Sequence, residues 1–302
     1  MDRRIFLKRA MGGVILSSYS PFLLNEHSDS LRFGIITDIH YSERDSYGTR
    51  YFKQSIDKLK NAIEVFNRSD LDFIIELGDF KDQDSEPERD GTLRYLDTIE
   101  AVYQTFNGPV YHVLGNHDMD SISKEEFLNR TSNHGDADKK ANYSFVSGGI
   151  KCIVLDANYS EDGSPYDTGN FDWTKAYIPK SQQEWLQKEL LLDQQPVLIF
   201  VHQLLDSFSD VGKDLCVGNA DEVIPILENY ENVLAVFQGH HHPGNYSFRN
   251  GIHYWTMKGM IEGSFPDNNS FAIVEVNKNG DISIDGFFNC EDRLLKNNDQ
   301  LL

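Results

Sequence analysis

Pro109-Val110-Tyr111-His112-Val113-Leu114-Gly115-Asn116-His117-Asp118 is the stretch around which this chain is organised. Its first six residues are mostly apolar and read as a buried strand. They run straight into an amide that can ligate a metal ion and an imidazole that can move a proton. Four other segments share the design. Residues 32–37 deliver Asp38-Ile39-His40, and 72–77 end in Gly78-Asp79. Residues 196–201 end at His202, and 233–238 end in Gly239-His240-His241-His242.

Between these runs, residues 52–66 place Ile56, Leu59, Ile63 and Phe66 at helical spacing, and 91–106 read as a second helix. Strand, helix, strand, helix, strand predicts parallel strands with right-handed crossovers. Functional side chains in such sheets collect past the carboxyl ends of the strands. Residues 121–141 read as a polar surface excursion with a short helix, and 143–146 with 150–156 as a hairpin or neighbouring strands. Residues 158–178 lack a period and read as a long loop over the site. Helices are expected over 181–192, capped by Ser181, and over 221–228, capped by Asp221. The tail alternates strands (244–248, 252–258, 270–276 and 282–287) with turns, Asn279-Gly280 among them. The second half therefore reads as hairpin-like, and the expectation is two sheets packed face to face with helices outside.

The chain has 302 residues, 39% of them hydrophobic, enough to bury a large core. Without internal repeat or linker, residues 31–302 read as one catalytic domain. A net charge of −20 argues against nucleic acid and anionic membrane as partners, and a basic stripe for a nuclease is missing. An anionic substrate stays open, because divalent cations would invert the local field. Cys152, Cys216 and Cys290 are odd in number and far apart, which argues against a disulfide framework. Residues 1–30 are set apart. Arg3-Arg4 precede Ile5-Phe6-Leu7, and 10–24 form a short apolar region, resembling a twin-arginine signal or a retained N-terminal anchor. That predicts export to the periplasm or cell envelope. A basic terminus with no export role would leave the protein cytoplasmic.

Carboxylate, imidazole and amide oxygen suit Mn²⁺, Fe or Zn²⁺, and phosphoryl-transfer sites use two such ions about 3.5–4 Å apart. Two close cations need a bridging anion, for which Asp79 is placed. Asp38 and His40 are close enough in sequence to hold one ion. Asn116 offers an oxygen, and His202, His240 and His242 offer nitrogens. Alternation in extended chain turns His240 and His242 one way and His241 aside. His112, His134 and His253 lack this context and read as hydrogen-bonded histidines.

These blocks resemble the five-block signature of calcineurin-like metallophosphoesterases, from Asp38-Ile39-His40 through Gly78-Asp79-Phe80-Lys81-Asp82 to Gly239-His240-His241-His242. The resemblance implies an α/β fold, a four-layer α/β/β/α sandwich of two mixed β-sheets flanked by helices. It also implies two divalent metal ions per chain. Asp38, His40 and His242 would hold the first, Asp79 would bridge, and Asn116, His202 and His240 would hold the second. Asp82 stands where purple acid phosphatases carry a tyrosine ligand, which argues against that subclass. Tyr47-Gly48-Thr49-Arg50-Tyr51-Phe52, residues 215–219, 251–254 and Gly259-Met260-Ile261-Glu262-Gly263 are similar to the manganese-dependent ADP-ribose/CDP-alcohol diphosphatases. The second ligand of the first block is often Gln in that branch and is His40 here. This similarity favours Mn²⁺ and a small, nucleotide-derived phosphorylated substrate; the chain is expected to act as a monomer. With loop position, it suggests Arg50, Tyr51, Tyr159, Asn170 and Cys216 as pocket lining.

The expected chemistry is hydrolysis of a phosphoester or phosphoanhydride by a hydroxide held between the metals. His117 would be the proton donor and Asp82 the partner that orients it. The alternatives are a phosphomonoesterase, a phosphodiesterase acting on a lipid head group or cyclic nucleotide, and, more remotely, a non-catalytic scaffold.

Overall fold

The computed structural model describes residues 30–192 and 194–297, so the expected export segment lies outside the described residues. The chain opens with β1 (Ser30–Ile36), α1 (Ser55–Asn67), β2 (Phe73–Glu76), α2 (Arg89–Tyr103) and β3 (Val110–His112). The expected apolar stripe holds: Leu59, Ile63 and Phe66 of α1 are buried. After α3 (Lys124–Arg130), with its reciprocal Ser123–Glu126 cap, come β4 (Tyr143–Ser147) and β5 (Ile150–Val154). The long aperiodic loop leads to α4 (Lys180–Leu192), β6 (Val197–Phe200), α5 (Ala220–Glu228) and β7 (Val233–Gln238). The chain closes with β8 (Asn245–Arg249), β9 (Ile252–Thr256), β10 (Ser270–Asn277), β11 (Ile282–Phe288) and β12 (Arg293–Leu295).

Two six-stranded mixed sheets result, in the orders β12-β11-β10-β1-β2-β3 and β4-β5-β6-β7-β9-β8. In the first, β1, β2 and β3 are parallel, and β10 runs antiparallel to β1. In the second, β5, β6, β7 and β9 are parallel, with β4 and β8 as antiparallel edges. The hairpin-like reading of the second half is thus corrected: hairpins form at β4–β5, β8–β9 and the β10–β12 meander, but the centre is parallel. Two cap positions also shift. Ser181 lies inside the first turn of α4, and Asn219 precedes α5 where Asp221 was expected.

The layers follow from period-two alternation. Cys152 and Val154 join the core shared with the first sheet, while Ile153 and Leu155 face Leu186 of α4 and Val223 of α5. Phe33 sits between the sheets, stacked on Phe73 at 4.9 Å and edge-on to Phe200 and Phe237 at 5.8 and 5.7 Å. Burying each such ring contributes about 1.5–3 kcal/mol. With α1 and α2 outside one sheet and α4 and α5 outside the other, the four layers are as expected.

Candidate metal centre

The segments leaving the carboxyl ends of β1, β2, β3, β6 and β7 bring their polar side chains together. Doing so needs unusual backbone. Asp38, His40, Asp79 and His240 have φ of 52°, 48°, 56° and 66°, a left-handed region that costs a non-glycine residue about 1–3 kcal/mol each. The glycines before Asn116 and His240 answer a different need. A Cβ on Gly115 would lie 2.2 Å from the Asp79 amide nitrogen, and one on Gly239 would lie 2.2 Å from Thr37 Oγ1. Only glycine lets these chains approach so closely.

Two largely buried clusters form. Asp38, His40 and His242 place ligand atoms within 4.8 Å of one another, and so do Asp79, His202 and His240. In the first, His40 Nε2 lies 3.3 Å from His242 Nε2 and 3.7 Å from Asp38 Oδ1. Asp79 Oδ2 joins the two, 3.5 Å from His40 Nε2 and 3.2 Å from His202 Nε2. The outer atoms are locked from behind. His202 Nδ1 donates to Leu77 O at 2.8 Å, which leaves Nε2 bare. Asp38 Oδ2 accepts from Thr37 Oγ1 and the His240 amide.

Among the side-chain atoms buried with no hydrogen-bond partner are one from each of four expected ligands: Asp38 Oδ1, Asn116 Oδ1, His202 Nε2 and His240 Nε2. Each orphan of this kind costs about 1–3 kcal/mol. All four are acceptors or lone pairs belonging to borderline metal ligands, so the donor set fits divalent cations. The electrostatics agree. Burial pushes the Asp79 carboxyl up, but His202, His117 and His40 hold it well below the usual carboxylate range. Burial and the neighbouring His202 push His240 down to about 3, so its ring is neutral and its lone pair available.

His117 stands beside this centre, its ring edge-on to His40 at 4.8 Å and its amide donating to Asp79 Oδ1 at 2.7 Å. Asp82 Oδ1 is 3.6 Å from His117 Nδ1, and Asp82 Oδ2 is 3.3 Å from His40 Nδ1. Asp118 ties the motifs together by accepting from the amides of Gly115, Asp79 and Phe80. His112 is instead a core histidine paired with Glu100, and His253 bonds Tyr246 and Lys296 O.

A cavity of about 620 Å³ opens over the centre. Of the expected lining residues, Arg50 is there. Tyr51, Tyr159, Asn170 and Cys216 are not. Tyr51 is half-buried with its amide bonded to Ile261 O. Tyr159 lies under the Lys124 ammonium. Asn170 is exposed in a turn with Asp167, and Cys216 is buried, its neighbour Leu215 lining instead. His241 also departs from expectation, since it lines the cavity. Trp173 and Glu262 line it too; Trp173 carries no motif in the sequence, and Glu262 lies in the 259–263 segment without being singled out as a site residue. The aperiodic loop does overlie the site, bringing Trp173 within 6.2 Å of His240 and Phe171 within 5.7 Å of His117.

The calcineurin-like phosphoesterase family model matches residues 31–244. A manganese-dependent ADP-ribose/CDP-alcohol diphosphatase of Arabidopsis thaliana is 27% identical, over 82% of this chain and 91% of its own. A 3',5'-cyclic-nucleotide phosphodiesterase of Nostoc is 25% identical, over 72% and 74%. The crystal structure of a dimetal phosphatase from Danio rerio superposes with a TM-score of 0.76 at 21% identity, covering 88% of this chain and 98% of that one.

Proposed function

The chain belongs to the calcineurin-like phosphoesterase family, and from that premise we propose that it is a manganese-dependent diphosphatase of ADP-ribose-like or CDP-alcohol-like substrates. It is a metal-dependent phosphoester hydrolase with a His/Asp metal centre. The observation that carries the finer reading is the position of Asp79 between two histidine-rich clusters, 3.5 Å from one and 3.2 Å from the other. One ion would be held by Asp38, His40 and His242, a second by Asn116, His202 and His240, with Asp79 shared. When bound, divalent cations neutralise phosphoryl oxygens and acidify water.

The chain's own groups do the rest. His117 has Nδ1 turned toward Asp82, so its other ring nitrogen is the one available to substrate. Burial works against a charge on this ring, but Asp82 and Asp79 raise its pKa above the ordinary 6.5. That shift favours the protonated ring, which can give its proton to the leaving oxygen as water adds at phosphorus. Arg50, on the cavity wall, supplies positive charge for a second phosphate. The names of the relatives support a diphosphate linked to a nucleoside, and the Nostoc relative supports a cyclic-nucleotide phosphodiesterase as the second reading.

The test is turnover of metal-stripped protein reloaded with Mn²⁺, Fe²⁺ or Zn²⁺. The substrates are ADP-ribose, CDP-choline, 3',5'-cyclic AMP, bis-p-nitrophenyl phosphate and p-nitrophenyl phosphate. Release of AMP and CMP with Mn²⁺ is expected. Cleavage of the monoester alone would overturn the diphosphatase, and AMP from the cyclic nucleotide alone would establish the second reading. An envelope location, proposed from Arg3-Arg4, is checked by fractionating cells that carry the full chain or its Arg3→Lys/Arg4→Lys variant.

A further inference from the structure

Glu262 belongs to no block of the signature, yet its Oε1 lies 2.6 Å from His242 Nδ1, among the shortest polar contacts at the centre. The same oxygen is 3.8 Å from Arg50 Nε. Glu262 thus sets a carboxylate between a histidine of the first cluster and the arginine of the cavity wall.

Its backbone is fixed from three sides. On one side the amides of Met260 and Ile261 donate to Thr37 O and Asp38 O, at 3.0 and 2.9 Å. On another, Tyr51 N donates to Ile261 O and Gly263 N to Thr49 O, so this segment straps the turn that carries Arg50. From beneath, the buried Lys58 of α1 donates to the carbonyls of Met260, Glu262 and Gly263, at 2.8, 2.9 and 2.6 Å. These three bonds from one buried ammonium hold that segment in place. The segment leaves the carboxyl end of β9, beside the end of β7 that bears His242.

We propose that Glu262 is a positioning residue that sets His242 for the first ion and couples it to the substrate-facing Arg50. Accepting a hydrogen bond from Nδ1–H fixes the tautomer in which Nε2, 3.3 Å from Asp38 Oδ1, keeps its lone pair for the ion. It also fixes the ring's rotation. The ion site and the arginine that meets the substrate then share one anchor, so a change in either is felt by the other. This rests on the binuclear reading above.

The test is calorimetric titration of metal-stripped protein with Mn²⁺, alongside steady-state kinetics, for wild type, Glu262→Ala and Glu262→Gln. Wild type is expected to take up two ions. Glu262→Ala should weaken one of the two binding steps by about 10–100-fold and leave the other unchanged. Glu262→Gln keeps an acceptor for Nδ1–H and should recover most of that affinity, while KM rises in both variants because Arg50 loses its ionic partner. A merely structural role would weaken both steps alike, with no rescue by Gln, and would overturn the proposal. So would two unaltered steps in Glu262→Ala. Wild type that takes up no Mn²⁺ would overturn the binuclear reading itself, and the role of Glu262 with it. The ion-free melting temperature of each variant shows whether the fold survives. Should Glu262→Ala not fold, Glu262→Gln decides alone: unchanged KM and ion affinity there overturn the coupling.

Discussion

Asp82 stands against His117, its Oδ1 3.6 Å from the ring's Nδ1. The other carboxylate oxygen faces His40, so one anion touches both the expected proton donor and a residue of the first metal cluster. Arg44 Nη1 and the Gln83 amide hold Oδ1 from outside, at 3.4 and 2.8 Å. Removing the imidazole removes the proton donor, and His117→Ala should lower kcat by about 10²–10⁴-fold. Asp82→Asn keeps the shape but loses the charge that raises the ring's pKa. Its kcat should fall less, and the alkaline limb of its pH–rate profile should move to lower pH. A loss confined to KM in His117→Ala would contradict the assignment.

Asp79 is shared by both clusters, and Asp79→Asn tests that sharing. An amide cannot neutralise two cations, so the ion content measured by atomic emission after dialysis should fall below two per chain. Activity should drop by more than the about 100-fold that changes behind the ligands cost. Retention of two ions would mean that Asp79 does not bridge.

Chelation should destabilise the fold. Asp38 Oδ1, Asn116 Oδ1, His202 Nε2 and His240 Nε2 are buried without partners, and four strained backbone positions surround them. A ligand at 100 times its Kd stabilises by about 2.7 kcal/mol. Scanning calorimetry with and without EDTA should show a lower melting temperature on chelation, restored by excess Mn²⁺. An unchanged melting temperature would leave those four atoms unexplained.

The clustering of the candidate ligands is legible because each follows an apolar run that reads as a buried strand, and parallel strands deliver their ends to one edge. Other features depend on contacts that no local pattern encodes. His241 was expected to turn aside by extended-chain alternation, but His240 has φ of 66°, so the chain is not extended and alternation fails. Glu262 lies in a short irregular segment, and its role exists only because Thr49 and Lys58, distant in sequence, strap that segment beside His242. Trp173 reaches the cavity from an aperiodic loop. The parallel pairing of β7 with β9 leaves no local signal, because β8 intervenes as a hairpin and an apolar strand reads alike in either direction.

A last prediction concerns stability away from the metal centre. His112 and Glu100 form a buried pair, Nε2 to Oε2 at 2.9 Å, with Asn133 on the other ring nitrogen. Burial alone would lower the histidine's pKa, but Glu100, helped by Asn133 and Asp118, raises it above 6.5. Burial alone would raise the glutamate's, but His112 lowers it below 4.5. A histidine raised on folding contributes stability that is whole below 6.5 and is lost as pH rises through the folded value. A carboxylate lowered on folding contributes stability that is whole above 4.5 and is lost as pH falls through the folded value. The two overlap between 4.5 and 6.5, where the pair is worth most. Removing one partner of a buried pair costs about 3–5 kcal/mol. Urea unfolding of His112→Gln should therefore show its largest deficit against wild type in that window, shrinking on the alkaline side as wild-type His112 loses its proton. A deficit independent of pH would mean that His112 contributes packing and hydrogen bonds but no charge.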